Sequence, residues 1–245
     1  MQFLTMWSLC KKDFNQFFSS LTGYIAIVLF LLVCGIFLFV LKDSNIFDYG
    51  YATADKLFAL APWVLVFLVP AIGMKLFSEE FKTGTFEILK TKPLSTWQIV
   101  LGKYISILLV LLMVIVPTLI YIFSIKSLST SGNIDSGGII GSYIGLYFLG
   151  AVFAAISLCC SSYSGNAVVA FLISVFACLI LYFGFSGISQ LPAFSSNADY
   201  YIEMLGIDFH YKSISRGVLD SRDIVYFASI IFLFLFITLK NIRNK

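Results

Sequence analysis

Six long stretches without a single charge constrain this sequence more than anything else in it. They cover residues 23–41, 57–74, 104–125, 139–160, 167–185 and 224–239. The first five run for 18 to 22 positions; the last has 16, among them Phe227, Phe232, Phe234 and Phe236. About 20 apolar residues, each rising 1.5 Å, carry a helix across the hydrocarbon layer of a bilayer. None of the stretches alternates with period two, so a membrane β-barrel is rejected. The composition agrees: 60% of residues are hydrophobic and 12% charged, against roughly half and a quarter in soluble domains. That excludes one water-soluble core, excludes disorder, and leaves too little polar chain for a separate catalytic domain. The expected fold is an all-α integral membrane protein, a single transmembrane unit over 1–245. The first apolar run reads as an uncleaved signal anchor, because it is longer than the usual ~7–15 residues and no small-x-small site follows.

Orientation follows from the distribution of Lys and Arg. One side holds the N-terminal stretch, the loop 75–103, a short fourth loop and the tail, with ten basic residues against four acids. The other side holds six against nine. The first side is expected to be cytoplasmic, with both termini inside. The net charge of +3 thus reflects topology, and no basic stretch with interleaved aromatics points to nucleic acid. The five cysteines show no C-x-x-C pair, so they read as small packing residues.

Between the apolar runs, three segments carry pattern. Residues 3–18 alternate Phe3, Trp7, Phe14, Phe17 and Phe18 with Lys11, Lys12 and Asp13, as expected of a helix lying in the membrane interface. In the loop 75–103, Ser78-Glu79-Glu80 extends the second span, Gly84 breaks it, and Thr85 is placed to cap a short helix over 86–92. Glu87 near its start and Lys90 and Lys92 near its end suit the helix dipole. Pro93 ends that helix, and Ser95 with Gln98 forms a capping box opening the third span, beside Trp97. Phe86 and Leu89 share one face of the short helix, which must bury on headgroups, on the same chain, or on a partner. The loop 186–223 on the other side is rich in aromatic and apolar residues, including Phe194, Tyr200, Tyr201 and Met204. Asn197 is placed to cap a first helix ending at Gly206, a second turn follows over 209–216 and stops at Gly217, and Asp220 or Ser221 caps the last span.

The loop signature Glu79-Glu80, Gly84-Thr85, Glu87, Leu89, Pro93 and Ser95, followed by Ile99-Val100 and Gly102-Lys103, resembles the cytoplasmic signature of ABC-2 type permeases. Lys75 departs from it, where many relatives carry Arg. The resemblance implies six spans with both termini inside and a re-entrant-type hairpin before the last span. It also implies a separate cytoplasmic ATPase that carries the ATP and Mg, with no cofactor bound by this chain. Glu79, Glu80, Gly84, Thr85, Phe86, Glu87, Leu89 and Pro93 would form the contact to that ATPase. The run 206–223, with Gly206, His210, Arg216 and Gly217, resembles the gliding-motility-associated permease subgroup GldF. That implies a GldA-like ATPase, a GldG-like auxiliary membrane subunit and a bacterial inner-membrane location.

Other chemistry finds little support. Gly102-Lys103 is followed by Tyr104 rather than Ser or Thr, so it is no phosphate loop. The sole histidine, His210, has no second metal ligand at useful spacing, and no nucleophile elbow accompanies it; a local hydrogen bond is its expected role. The absence of acidic or basic residues inside the spans argues against ion-coupled transport. Gly141 with Gly145, and Gly150 with Ala154, permit close helix contact, within the chain or between copies. Pro62, Pro70 and Pro117 are expected to kink or bound the second and third spans. A mechanical scaffold docked to an ATPase, and an intramembrane enzyme, are the alternatives to export. The substrate is not legible.

Overall fold

The computed structural model of the chain describes residues 2–41, 53–128, 135–190, 198–217 and 220–244. The side chains of Phe3 and Phe194, and the Asn197 cap, lie outside that description. Among the described residues every regular element is helical. The helices are α1 (Gln2–Ser19), α2 (Leu21–Phe39), α3 (Asp55–Gly73), α4 (Lys75–Thr83), α5 (Thr85–Lys90) and α6 (Thr96–Ile115). After a 3-10 turn (Val116–Thr118) come α7 (Leu119–Leu128), α8 (Ser136–Tyr163) and α9 (Ala167–Leu179). A π-helical segment (Ile180–Gly184) leads to α10 (Phe185–Ser189), then α11 (Ala198–Met204), α12 (Ile207–Ser215) and α13 (Ser221–Arg243).

Five helical stretches are long and apolar enough to cross a membrane: Asp55–Thr83, Thr96–Leu128, Ser136–Tyr163, Ala167–Ser189 and Ser221–Arg243. α1 and α2 meet at 69° and are long and apolar enough only together, which brings the total to six where that bent pair counts as one span. Several helices outrun their apolar runs. The third begins at Thr96, not Tyr104, because the Ser95 hydroxyl accepts from Gln98 N–H while the Gln98 side chain accepts from Ser95 N–H. This reciprocal pair satisfies helix-end donors in a polar environment. Pro117 sits in the 3-10 turn that interrupts that span, as its missing N–H requires. Pro62 and Pro70 lie inside α3 without breaking it.

The spans alternate in direction, so the bundle has two ends. At one end Asn241 donates to the Ser162 carbonyl and Ser161 accepts from the N–H groups of Phe77 and Ser78. At the other Ser142 donates to the Ser215 carbonyl and Tyr211 to the Phe58 carbonyl, at 2.8 and 2.7 Å. We call these the Lys103 end and the His210 end. α8 is the central post: 83% of its apolar window is buried, and α3, α6, α9, α12 and α13 all pack on it. Ser157 and Ser161 hydroxyls on α8 donate to the carbonyls of Pro70 and Met74, tying α8 to the junction of α3 and α4. A helix whose whole circumference packs on protein needs small residues. A Cβ on Gly141 would come within 2.7 Å of Gly217 Cα, so only glycine allows α12 this close. Gly145 faces Ile214, Gly150 faces Leu111, and Ala154 is fully buried, which places all four positions at contacts within the chain. α2, α9 and α13 instead expose large apolar side chains such as Leu32, Phe176 and Phe232, as lipid-facing helices do.

Candidate coupling site and the far-end hairpin

The loop between the second and third spans folds back on itself. Gly84 adopts φ +72° and closes α4, a left-handed cap that costs a side-chain-bearing residue about 1 kcal/mol or more. Gly84 also occupies the N-cap of α5, so Thr85 is the first helical residue instead of the cap. Its hydroxyl meets that of Thr83 at 2.9 Å. Phe86 and Leu89 are buried. Phe86 packs edge-on against Phe81 and Phe77, at centroid distances of 4.9 and 6.2 Å. Of the three surfaces this face could bury on, the chain itself takes it. The outward face is made by Thr85, Glu87, Ile88 and Lys90. Ile88 is 63% exposed, an apolar residue at the tip of a charged loop. The sequence pattern missed it, although its position between Glu87 and Leu89 puts it on the opposite face from Phe86.

The base of this loop is held by buried charge. Lys103 on α6 has a fully buried side chain, and its ammonium lies 2.8 Å from Glu80 Oε1, 3.4 Å from Asp13 Oδ2 and 2.8 Å from the Leu76 carbonyl. Lys12 completes the group, 3.1 Å from Asp13 Oδ1 and 3.2 Å from Glu80 Oε1. Two ammoniums and two carboxylates balance, which is what burying charge requires. Burial works against the Lys12 charge, but Asp13 and then Glu80 outweigh it and raise its pKa. The network joins α1, α4 and α6. Glu80 therefore faces inward, whereas Glu79 stays on the surface in an i,i+4 pair with Lys75 at 3.5 Å. Asp13 and Lys12 lie 67 and 68 residues before Glu80, beyond the reach of any local sequence pattern. Next to the network a groove of about 750 Å³ runs between α1 and the loop, past Ser8, Gln16, Glu79, Thr85, Ile88 and Pro93.

At the His210 end the hairpin helices α11 and α12 pack onto the bundle. Gly206 is the N-cap of α12 rather than the last residue of α11, and Asp220 caps α13 by accepting from Arg222 N–H. Gly217 turns the chain at φ +85°. Tyr200 and Tyr201 are exposed, with rings 5.9 Å apart. His210 is buried, with Nδ1 2.6 Å from Asp223 Oδ1 and Nε2 2.9 Å from the Met204 carbonyl. Its ring stacks on Tyr226 at 3.8 Å. Both nitrogens face oxygen acceptors, so neither is free to serve as a base. Asp208 pairs with Lys212 at 2.6 Å; burial, and then the nearby Asp208, raise the Tyr211 pKa well above the phenol range. Among the described residues no three His, Cys, Asp or Glu side chains come together as a metal site.

An all-helical bundle with five to six apolar spans, a patterned loop anchored at one end and an amphipathic hairpin at the other describes a polytopic permease. The model of the ABC-2 family transporter proteins matches residues 7–204. The chain belongs to that family, and membership makes it the membrane permease subunit of an ABC exporter and implies a partner ATPase component. No match was found among curated proteins.

Proposed function

We propose that the chain transmits the work of a separate cytoplasmic ATPase, which holds the ATP and Mg, into the membrane through residues 84–93. The observation that carries this reading is the network of Lys103, Glu80, Asp13 and Lys12. It fastens the loop to α6 and α1, so a push on α5 moves a span instead of bending a linker. Gly84, Thr85, Glu87 and Pro93 meet the ATPase on the outward face together with Ile88. Phe86 and Leu89 stiffen the loop from within, Glu80 anchors it, and Glu79 lines the groove beside it. The excess of Lys and Arg at this end supports a cytoplasmic placement of both termini and of the loop, in the inner membrane of a bacterium.

The run 206–223 supports a gliding-motility-associated role, with a GldA-like ATPase and a GldG-like auxiliary membrane subunit. Spans free of internal charge suit an apolar or amphipathic cargo driven by ATP rather than by ions. The test is site-specific cross-linking in membranes that contain the whole assembly. A photoreactive residue at position 88 is expected to capture the ATPase, and one at Tyr201 is expected not to. Capture from Tyr201 alone, or from neither position, contradicts the reading.

A further inference from the structure

At the His210 end, α3, α8, the π segment and α12 enclose a cavity of about 780 Å³, within the range of small-ligand sites. Its inner wall is made by the buried side chains of Phe58, Tyr182, Asp208 and Tyr211. One flank is Trp63 against Phe183, with ring centroids 4.0 Å apart. Trp63 is 50% exposed and sits eight residues into α3, about 12 Å below its start. A half-exposed tryptophan at that depth marks the boundary between headgroups and acyl chains. The cavity therefore opens to water at its rim and to lipid along the Trp63 flank.

The rim carries both signs of charge. Lys212 is occupied by Asp208, and Asp135 also accepts from Gly138 N–H at 3.0 Å. Among the described residues Asp55 and Arg216 enter no ion pair. The backbone sets the position of Arg216: Gly217, with its positive φ, brings α12 so close to α8 that an added Cβ would lie 3.0 Å from Gly138 Cα. The π segment turns the successive residues Tyr182 and Phe183 toward the same cavity, and such segments recur at functional sites.

A guanidinium without an ion pair among the described residues, carboxylates across the same rim and an aromatic flank open to the bilayer call for a ligand with a phosphate, an amine and an apolar tail. We propose that this cavity binds a zwitterionic phosphoethanolamine lipid by its headgroup. Arg216 takes the phosphate, Asp55 and Asp135 take the ammonium, and the first acyl carbons lie along Trp63 and Phe183. An anionic headgroup without an amine meets uncompensated carboxylates, and a choline headgroup has no N–H to donate. The inference does not depend on the export reading.

The test uses the full chain in phosphatidylcholine nanodiscs doped with phosphatidylethanolamine or phosphatidylglycerol, with bound lipid counted by native mass spectrometry. Phosphatidylethanolamine is expected to be retained in preference to both others. Arg216→Ala and Asp55→Asn are each expected to lower its apparent affinity about tenfold or more, since each removes a charge-assisted contact. Both residues are exposed, and wild-type melting temperatures confirm that the variants fold. Lys90→Ala, at the opposite end, is expected to change nothing. Equal retention of the three lipids, or affinity unchanged in both rim variants, overturns the proposal. Displacement by soluble glycerophosphoethanolamine at the same concentration as the lipid overturns the lipid assignment.

Discussion

The two ends of this bundle both bury charge, but they do it differently. The Lys103 end shares two ammoniums among two carboxylates and ties three helices together. The His210 end ties the hairpin helix α12 to α13 and to the end of α11 through one imidazole held between one carboxylate and one carbonyl, with the Asp208–Lys212 pair standing apart within α12. In the first, Glu80 Oε1 touches both lysines, so one carboxylate backs up the other. In the second nothing stands in for His210, although each end leaves one carboxylate oxygen buried without a hydrogen-bond partner among the described residues, Glu80 Oε2 and Asp223 Oδ2. The lesson concerns tolerance. A shared network keeps its charges compensated while its members shift, which the proposed coupling role would require. A single pair fixes one geometry and suits an end where the hairpin must hold one position against the bundle.

This contrast can be broken by substitution. The largest effect is expected from Lys103→Met, which leaves Asp13 and Glu80 buried with only Lys12 between them. Removing one partner of a buried ion pair costs about 3–5 kcal/mol, so the purified protein should melt markedly lower or fail to accumulate. At the other end His210→Ala removes two hydrogen bonds and the stacking on Tyr226. A loss of about 2–3 kcal/mol is expected, read as protease cleavage within 198–217 well before the spans melt. Asp13→Asn should cost only about 1 kcal/mol, because Glu80 still bridges both lysines. If Asp13→Asn destabilises as much as Lys103→Met, the two ends do not differ in the way described. Lys75→Ala, which removes an exposed pair with Glu79, should shift the melting temperature hardly at all.

Much of this was legible in the chain. The spans announce themselves because apolar runs have no other stable home, and Gly84, the Ser95–Gln98 box and Gly217 are local signals read from a few neighbours. The Ser95–Gln98 box also shows why span ends were misplaced: helix continues into polar sequence wherever a cap satisfies it, and hydropathy alone stops at the first charge. Thr85 looked like a cap because its hydroxyl could serve, but the left-handed Gly84 had already turned the chain. The π segment left no trace in an apolar run that reads as ordinary helix. The charge network was the least legible feature. Lys103 lies 90 residues from Asp13, and only the packing of α1 on α6 brings them together. The buried pairing of His210 with Asp223 likewise depends on how the hairpin folds back. Burial also changed the meaning of the coupling residues, since Phe86, Leu89 and Glu80 point inward while Ile88 points out.

The central claim is that the outward face of α5 receives the ATPase and that the anchored loop passes the motion on. The most direct test is permease-stimulated ATP hydrolysis in proteoliposomes holding the whole assembly, comparing wild type with Ile88→Glu. Ile88 is 63% exposed, so the variant should insert and melt like wild type. The account predicts that the ATPase keeps its basal rate and loses its stimulation by the permease. Stimulation at the wild-type level in Ile88→Glu would contradict it.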